Sequence, residues 1–330
     1  MRTKRENAEA ILARQQPDYY FDFMDSLGLI FDPVMMGDMS LEPGGPAAKD
    51  SWGVTYIWPA GAPGPHPVHN ADTIVIKDIE HFEDYLVVPD INNLDWSMAE
   101  QQAAEVDTSE QYIACMAGGG IFERSHHLMG MEDALANYLL HPDKMYELLT
   151  IIKDWKLNYL ELAAKHLKAE VVFFHDDWGH KRNGFLPVEV WRTLIKPLHK
   201  EIVDKAHELG IFFLHHADCV CQPYVVDMVE LGIDAWQGVI AQNDVVEIQR
   251  ITEGKLAMVG GFDSGRWDRP DSTEADIRAE VHRVIDTYCP GGRFFPGIPN
   301  GFLYSPGLMD VYVDEMALYG KKWAEEHPIL

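Results

Sequence analysis

Short apolar runs alternate with helical patterns along the last two thirds of this chain, and this alternation restricts its fold more than any other feature. The runs have strand length and occupy residues 111–118, 170–177, 211–216, 233–238, 256–263 and 292–297. Stretches with the apolar spacing of amphipathic helices follow them. Strand–helix repetition of this kind is typical of a parallel sheet covered by helices. The sequence therefore predicts an α/β fold with about six strand–helix units after residue 110.

Proline and glycine residues divide the helical stretches. Pro142 interrupts one long helical pattern, and Pro187 and Gly210 mark the start and the end of the next. Proline fits the first turn of a helix and glycine its end, so these positions predict helix boundaries. Asn243 or Asp244 is expected to cap the helix that follows them.

Residues 1–110 follow a different pattern, with clustered aromatic residues, prolines and glycines. In the segment DSWGVTYIWPAGAPGPHPVHN, residues 50–70, the alternation of WGVTYIW predicts a strand or hairpin arm. The proline–glycine run after it predicts a loop. We therefore interpret residues 1–110 as an irregular N-terminal extension with a hairpin and loops.

Polar residues gather directly after the apolar runs, in FERSHH, HDDWGHK, HHADC, DSGR and IPNG. These positions correspond to the C-terminal ends of the predicted strands, where (β/α)8 barrels carry their active sites. No Gly-x-Gly-x-x-Gly motif follows a strand, which argues against a dinucleotide-binding fold. The sequence predicts a single (β/α)8 TIM barrel domain over residues 1–330, with its main run of β/α units at 111–330.

The charge balance excludes some partners. The chain has 53 acidic and 27 basic residues, a formal net charge of −26. Such a surface repels phosphate backbones and anionic membranes, and it either is simply well solvated or steers toward a less acidic protein. No apolar run approaches the roughly 20 residues that span a bilayer, so a cytoplasmic location is expected. The 4 cysteines are too few for a disulfide framework and are expected to be thiols.

Two of the polar segments carry candidate acid–base groups. Glu123 and Arg124 follow a glycine run and could bind or polarise a substrate, or form a structural pair. The adjacent Asp176 and Asp177 cannot point the same way from a strand end. One of them is expected to face the barrel mouth, where a carboxylate acts as acid or base or fixes a substrate hydroxyl. A helix cap or a satisfied loop carboxylate is the alternative.

The segment HHADCVC combines the common metal-ligand types. Side chains alternate along a strand, so His216 and Asp218 share one face and His215 lies on the other. A His-x-Asp pair is compatible with zinc, and the thiol of Cys219 would strengthen it. The competing interpretation is a polar substrate site in which Cys219 and Cys221 are small buried residues.

The last two polar segments are weaker signals. Asp263, Asn300 and Tyr304 could hydrogen-bond a ligand, but they lie in sequences typical of turns. Tryptophans such as Trp52 and Trp178 could form the walls of a site for an aromatic ring, or pack in the core and loops.

Taken in order, these segments resemble the uroporphyrinogen decarboxylase superfamily. The resemblance is carried by residues 175–219, from HDDWGHK to HHADC, and by VELGIDAWQ, AMVGGFD and DSWGVTYIW. It covers about residues 50–325. It implies the same (β/α)8 barrel that the strand–helix pattern predicts, and it adds that members of this family often form homodimers.

The resemblance implies one of two main activities. Decarboxylases of the family carry an arginine-rich N-terminal motif for the substrate's propionates, and residues 32–46 contain no arginine. The other branch contains corrinoid-dependent methyltransferases. Its coenzyme M members use His-x-Cys and a distant cysteine as zinc ligands, whereas here Asp218 stands in the cysteine position and GIPNG near the distant one. GGGIFERSHHLMGMEDAL and DSWGV are most similar to members that demethylate methoxyarenes.

The methoxyarene branch implies transfer of a methyl group from a methoxylated compound to the Co(I) corrinoid of a partner protein. The ether oxygen of the methoxylated compound is a poor leaving group unless a Lewis acid or a proton stabilises it. Zinc on His216 and Asp218, with a nearby cysteine such as Cys219 or with Glu123, would supply the first. Asp177, Glu123 or His180 would supply the second.

Arg124, Asp176, Asp263, Asn300 and Tyr304, with Trp52 and Trp178, are the expected substrate contacts. The alternative functions are a methylcobamide:thiol methyltransferase, a decarboxylase-like lyase, and a non-catalytic corrinoid or small-ligand binder.

Overall fold

The computed structural model describes residues 1–38, 41–62 and 64–329. In that part of the chain, ten strands occur in the order β1 (Leu27–Leu29), β2 (Ala48–Lys49), β3 (Thr55–Ile57), β4 (His66–Pro67), β5 (Tyr112–Ala117), β6 (Val171–His175), β7 (Phe212–His216), β8 (Ala235–Val239), β9 (Ala257–Gly261) and β10 (Phe294–Gly297).

The helices among the same residues are α1 (Lys4–Leu12), α2 (Pro33–Asp38), α3 (Ser97–Glu105), α4 (Ile121–Met129), α5 (Met131–Leu140), α6 (Pro142–Leu167), α7 (Val188–Leu194), α8 (Lys196–Glu208), α9 (Val225–Leu231), α10 (Val245–Ile251), α11 (Ser264–Trp267), α12 (Glu274–Tyr288) and α13 (Leu308–Glu326). Short 3₁₀ turns lie at Phe23–Ser26, Ile79–Asp84, Gln222–Tyr224 and Cys289–Gly291. No helix in the described ranges is both long and apolar enough to cross a membrane.

Seven strands form one parallel sheet in the order β1-β5-β6-β7-β8-β9-β10. Every pairing within it is parallel, and the spatial order follows the chain order. The predicted α/β fold is therefore confirmed. The N-terminal region supplies only β1 to this sheet, so the described residues give it seven strands where the sequence predicted an eight-stranded barrel.

The sheet is strongly curled. Phe23, just before β1 at one edge, contacts Phe295 of β10 at the other edge, with ring centroids 4.9 Å apart. Phe23 also lies 5.8 Å from Phe212 of the central strand β7. Rings from both edges and the middle therefore meet inside the curl. On its outer face, Phe174 of β6 packs against His199 of α8, so helices cover the outside.

Most of the predicted helix boundaries are confirmed. α5 ends at Leu140, two residues before Pro142, where α6 begins. The side chain of Asp244 caps α10 by accepting from the backbone N–H of Glu247. The helix expected between Pro187 and Gly210 is divided into α7 and α8 at Ile195. The division follows from Pro197, because proline lacks an N–H and restricts the residue before it.

A second sheet forms within the N-terminal region. β2, β3 and β4 pair antiparallel, with Tyr56 opposite both Ala48 and Pro67. The predicted strand in WGVTYIW is confirmed as β3, although it is only three residues long. This three-stranded sheet places Tyr56 at the rim of the curled parallel sheet, where it contacts His127 of α4.

Candidate active site

A cavity of about 910 Å³ opens at the C-terminal ends of the parallel strands. Its wall includes the last residues of three neighbouring strands, Ala117 of β5, His175 of β6 and His216 of β7, together with Gln237 of β8. The loop after β10 closes one side through Asn300 and its neighbours. The cavity thus lies at the C-terminal face of the parallel strands, the face where (β/α)8 barrels carry their active sites.

Three potential metal ligands converge at the ends of β6 and β7. One ligand atom each from His175, Asp177 and His216 lies within 4.8 Å of the other two. We refer to these residues as the His–Asp–His cluster. The alternation of side chains along an extended segment explains why His175 and Asp177 face the same way, with Asp176 between them facing elsewhere.

Hydrogen bonds fix the imidazole of His216. The Nε2 amide group of Gln237 donates to the Pro299 carbonyl oxygen at 3.0 Å, so its Oε1 atom faces His216 and accepts from Nδ1. Burial, reinforced by nearby His175, lowers the pKa of His216 to about 3. His216 is therefore neutral, with its proton on Nδ1 and a lone pair on Nε2.

His175 is oriented by a carboxylate. Its Nδ1 lies 2.8 Å from Oε2 of Glu123, and its ring stacks on His216 with centroids 4.3 Å apart. Burial alone would lower the pKa of His175, but the Glu123 carboxylate raises it to about 10. Burial alone would raise the pKa of Glu123, but His175 holds it below its usual range. Glu123 is thus ionised and binds the histidine.

The donor set of this cluster fits a zinc ion. Two imidazoles and one carboxylate are among the ligand sets that zinc binds in catalytic sites, with a further position left for substrate. A zinc-binding histidine usually donates the N–H of its second ring nitrogen to a carboxylate or another acceptor. Glu123 on His175 and Gln237 on His216 provide that arrangement.

This cluster overlaps only partly with the metal ligands expected from the sequence. His216 belongs to it. Asp218 lines the cavity, but its backbone N–H donates to the Asp177 carboxylate at 2.9 Å, and Asp177 supplies the clustered oxygen. Cys219 is 1% exposed, and its Sγ lies 3.4 Å from Sγ of Cys221. The structure thus places Cys219 beside another thiol and outside the cluster.

Asp176 has a different position from Asp177. It is fully buried, and its carboxylate accepts from the backbone N–H groups of Phe122 and Glu123 and from Nε1 of Trp178. Burial raises the pKa of Asp176 to about 7. Asp176 therefore holds the first turn of α4 to β6, and this contact sets the position of Glu123.

Gly120→Ala tests this anchoring contact. A Cβ at Gly120 would overlap the Asp176 side chain, whereas a Cβ at Gly118 would meet only Cε of Met116, at 4.0 Å. We expect Gly120→Ala to lower the free energy of unfolding by about 1–3 kcal/mol, as overpacking in a rigid core does. Gly118→Ala is the matched control and should change stability little. Urea denaturation measures both, and equal stabilities would contradict the proposed anchoring.

A buried ion pair lies beside the cluster. Arg124 Nη1 contacts Oδ2 of Asp50, and the two side chains are 4% and 1% exposed. The other oxygen of Asp50 accepts from the backbone N–H groups of Trp52 and Val54. The guanidinium lies 5.3 Å from the Trp52 ring. Arg124 lines the cavity, and Trp52 supports it from behind.

A hydrogen bond joins the three-stranded N-terminal sheet to α4. The hydroxyl of Tyr56 lies 3.0 Å from Nδ1 of His127. Both residues line the cavity. His127 lies one helical turn after Glu123, so α4 turns both side chains toward the same space.

The other predicted site residues are dispersed. Asn300 lines the cavity. Trp178 is buried against Trp191 and His215, and Asp263 caps α11. His180 is exposed, and Tyr304 is 48% exposed. Among these, only Asn300 belongs to the described lining of the cavity.

Several cavity residues were not selected from the sequence: His175, Tyr56, His127, Gln237 and Lys156. His175 had a usable signal, because it ends an apolar run and lies two residues before Asp177. Gln237 had a weaker one, at the end of the run IDAWQG. Lys156 lies inside a helix of 26 residues, where nothing distinguishes it from a surface lysine. It is 2% exposed, and its Nζ donates to the Gly118 carbonyl oxygen at 2.6 Å.

Comparison with known protein families and solved structures gives one family match and similar folds. The model of the uroporphyrinogen decarboxylase (URO-D) family matches residues 53–297. A methyltransferase from Methanosarcina mazei has a similar structure, with a TM-score of 0.69 and 14% identity, and the alignment covers 97% of this chain and 99% of that one. A 3-keto-D-glucoside 4-epimerase from E. coli aligns with a TM-score of 0.36 and 12% identity over 70% of this chain and 84% of its own. Among curated protein sequences, none matches.

Proposed function

This chain belongs to the uroporphyrinogen decarboxylase family, and from its cavity we propose that it is a methyltransferase. In this proposal it moves a methyl group from a methoxylated, aromatic compound to the Co(I) corrinoid of a partner protein. The observation that carries the proposal is the His–Asp–His cluster. It sets two oriented imidazoles and a carboxylate at the end of a substrate-sized cavity.

The cavity suits a planar aromatic substrate. Its volume of about 910 Å³ lies within the usual range for small-molecule sites. Trp155, Tyr159, Phe173 and Phe302 contribute aromatic surface to its wall. Aromatic side chains favour stacked or edge-on contacts with another ring. These contacts would hold the ring of a methoxyarene while its methoxy group faces the cluster.

The charges of the cavity argue against a porphyrinogen substrate. In the described lining, Arg124 is paired with Asp50 and His175 with Glu123, and Lys156 donates to the Gly118 carbonyl oxygen. Asp218 of the lining and the clustered Asp177 add further acidic groups. A substrate with many carboxylates would meet repulsion at such a wall. This balance supports methyl transfer over decarboxylation within the family.

The chemical difficulty of ether cleavage lies at the oxygen. The methyl carbon leaves the oxygen and bonds to cobalt through the Co(I) electron pair, and the oxygen keeps the electrons of the broken bond. Negative charge therefore develops on the oxygen and must be stabilised. His175, Asp177 and His216 would hold a zinc ion, which supplies Lewis acidity when bound.

The chain's own side chains prepare this step. Glu123 and Gln237 orient the two imidazoles of the cluster, and Asp176 fixes the helix that carries Glu123. Lys156 and the Asp50–Arg124 pair also line the cavity, where they would contact polar substituents of the ring. The open end of the cavity would admit the corrinoid, so the partner would dock over the strand ends.

The test is a methyl-transfer assay with a separate corrinoid protein. Wild-type protein, a methoxybenzoate and a reduced Co(I) corrinoid protein are mixed, and methyl–cobalt formation is followed by its absorption spectrum. We expect methylation by the wild type and a rate at least about 100-fold lower in His216→Ala. Absence of methyl–cobalt with a panel of methoxyarenes, although the chain binds them, would overturn the proposal.

A further inference from the structure

We propose that a second cavity, at the end of the parallel sheet opposite the candidate active site, binds a small organic anion that carries a planar ring. This cavity has a volume of about 430 Å³. It lies between the end of α1, the turn before β10 and the end of α13. Its wall includes Arg14, Tyr20, Arg293, Trp323 and His327, and we refer to it as the basal cleft. The proposal goes beyond the proposed function and does not depend on it.

The charge of the basal cleft is opposite to that of the whole chain. Its described lining contains two arginines, Arg14 and Arg293, and no aspartate or glutamate. The chain as a whole has 53 acidic and 27 basic residues. Burial, and then the nearby charge of Arg14, lower the pKa of Arg293. The carboxylate of Asp234, which acts on Arg293 more weakly, is bound by His207 at 2.8 Å. Two cations that face one cleft attract an anion between them.

A single turn before β9 holds both arginines in place. Arg14 Nη2 donates to the Glu253 carbonyl oxygen at 3.0 Å, and Arg293 Nη1 donates to the Lys255 carbonyl oxygen at 2.6 Å. Within the described ranges, neither guanidinium forms an ion pair with a carboxylate, and the buried Nε of Arg293 has no hydrogen-bond partner. Carbonyl oxygens carry only partial charge, so both guanidiniums keep their positive charge toward the cleft. Unpaired buried donors are rare in native proteins, and a bound ligand is one reason for them.

The aromatic residues of the basal cleft add a flat surface and a further donor. Trp323 stacks on His327 with ring centroids 4.3 Å apart, and it meets Tyr20 nearly edge-on at 5.2 Å. Tyr20 is 5% exposed, and its hydroxyl makes no hydrogen bond to the part of the chain that the structure describes. Burial raises the pKa of Tyr20, so the hydroxyl keeps its proton. It can therefore donate to a ligand oxygen.

These groups together determine the class of ligand. Guanidiniums and a phenolic hydroxyl are donors, and a carboxylate or phosphate group offers only acceptors to them. The aromatic surface beside them favours stacked or edge-on contact with a planar ring. A cavity of about 430 Å³ is within the range of small-molecule sites. The acid group would lie between Arg14 and Arg293, with its ring against Trp323.

Calorimetric titration with phenyl phosphate, benzoate and neutral benzamide tests the proposal. We expect the wild type to bind at least one of the two anions, and the one bound more tightly identifies the acid group. Arg14→Gln and Arg293→Gln should each weaken binding by about 10–100-fold, since each removes hydrogen bonds to a charged group. Benzamide should bind much more weakly than the anions. Arg250→Gln is the matched control, because its guanidinium is already neutralised by Glu247, and it should bind as the wild type does.

Tyr20→Phe tests the basal cleft without changing its charge. It keeps the ring beside Trp323 and removes only the hydroxyl, so we expect binding to weaken by about 2–10-fold. Urea denaturation of each variant shows that it is folded. If the wild type binds neither anion, Arg14 and Arg293 serve only the fold, and the proposal is overturned. Folded variants of both arginines that bind the anions as tightly as Arg250→Gln would overturn it as well. These titrations use no corrinoid, so failure of the proposed methyl transfer would leave their result unchanged.

Discussion

Protein purified without a metal-binding tag is expected to contain about one zinc ion per chain, and His216→Ala should contain almost none. His216 offers a neutral imidazole whose Nδ1 is already bound by Gln237. Removing it takes away one of three clustered ligands. Elemental analysis of the two proteins, with the same purification and after dialysis, measures the difference.

Two aspartates give the sharpest control for the zinc experiment. Asp177 contributes to the His–Asp–His cluster, whereas Asp218 lines the cavity without joining it. We expect Asp177→Asn to weaken zinc binding at least about 10-fold in competition with a chromogenic chelator. Asp218→Asn should retain its zinc. If Asp218→Asn lost its zinc and Asp177→Asn retained it, the metal ligands would be His216 and Asp218. A metal-free wild type would contradict a zinc site altogether.

Arg124→Met is expected to destabilise the fold by about 3–5 kcal/mol, the typical result of removing one partner from a buried ion pair. Both side chains of the Asp50–Arg124 pair are almost completely buried. Without the guanidinium, the Asp50 carboxylate retains two backbone donors but loses its countercharge. Urea denaturation of the wild type and the variant measures the loss.

The exposed pair of Arg250 and Glu247 is the matched control for Arg124. Arg250 also binds a carboxylate, but its side chain is 71% exposed. Exposed pairs contribute little, so Arg250→Met should leave the unfolding midpoint almost unchanged. Asp50→Asn combined with Arg124→Met should recover part of the lost stability, because neither position then carries a charge. Similar losses in Arg124→Met and Arg250→Met would contradict the importance of burial.

The parallel sheet could be predicted because its signals are local. Apolar runs of strand length and helices bounded by Pro142 or Asp244 depend on neighbouring residues alone. The curl of the sheet and its number of strands depend on contacts between its two edges. Phe23 and Phe295 make such a contact although 272 positions separate them in the sequence. The repeated strand–helix pattern predicts the strands after residue 110. It does not predict how many strands the irregular N-terminal region adds to the sheet.

The candidate site was less predictable, for a different reason. Alternation along strands brings His216 to the cavity and turns His215 toward Trp178 in the core. Alternation also places His175 on the same side as Asp177, although His175 was not among the predicted metal ligands. The contacts of Tyr56 with His127 and of Asp50 with Arg124 join residues more than 70 positions apart. Such contacts arise from tertiary packing and have no local pattern.

Helix α4 carries Glu123, Arg124 and His127, and each contacts a different part of the molecule. Glu123 reaches the parallel sheet, while Arg124 and His127 reach the N-terminal region. A small rotation of this one helix would change all three contacts together. A substitution that shifts α4 is therefore expected to change the positions of all three side chains together. Movement of the helix cannot change the position of one of them alone.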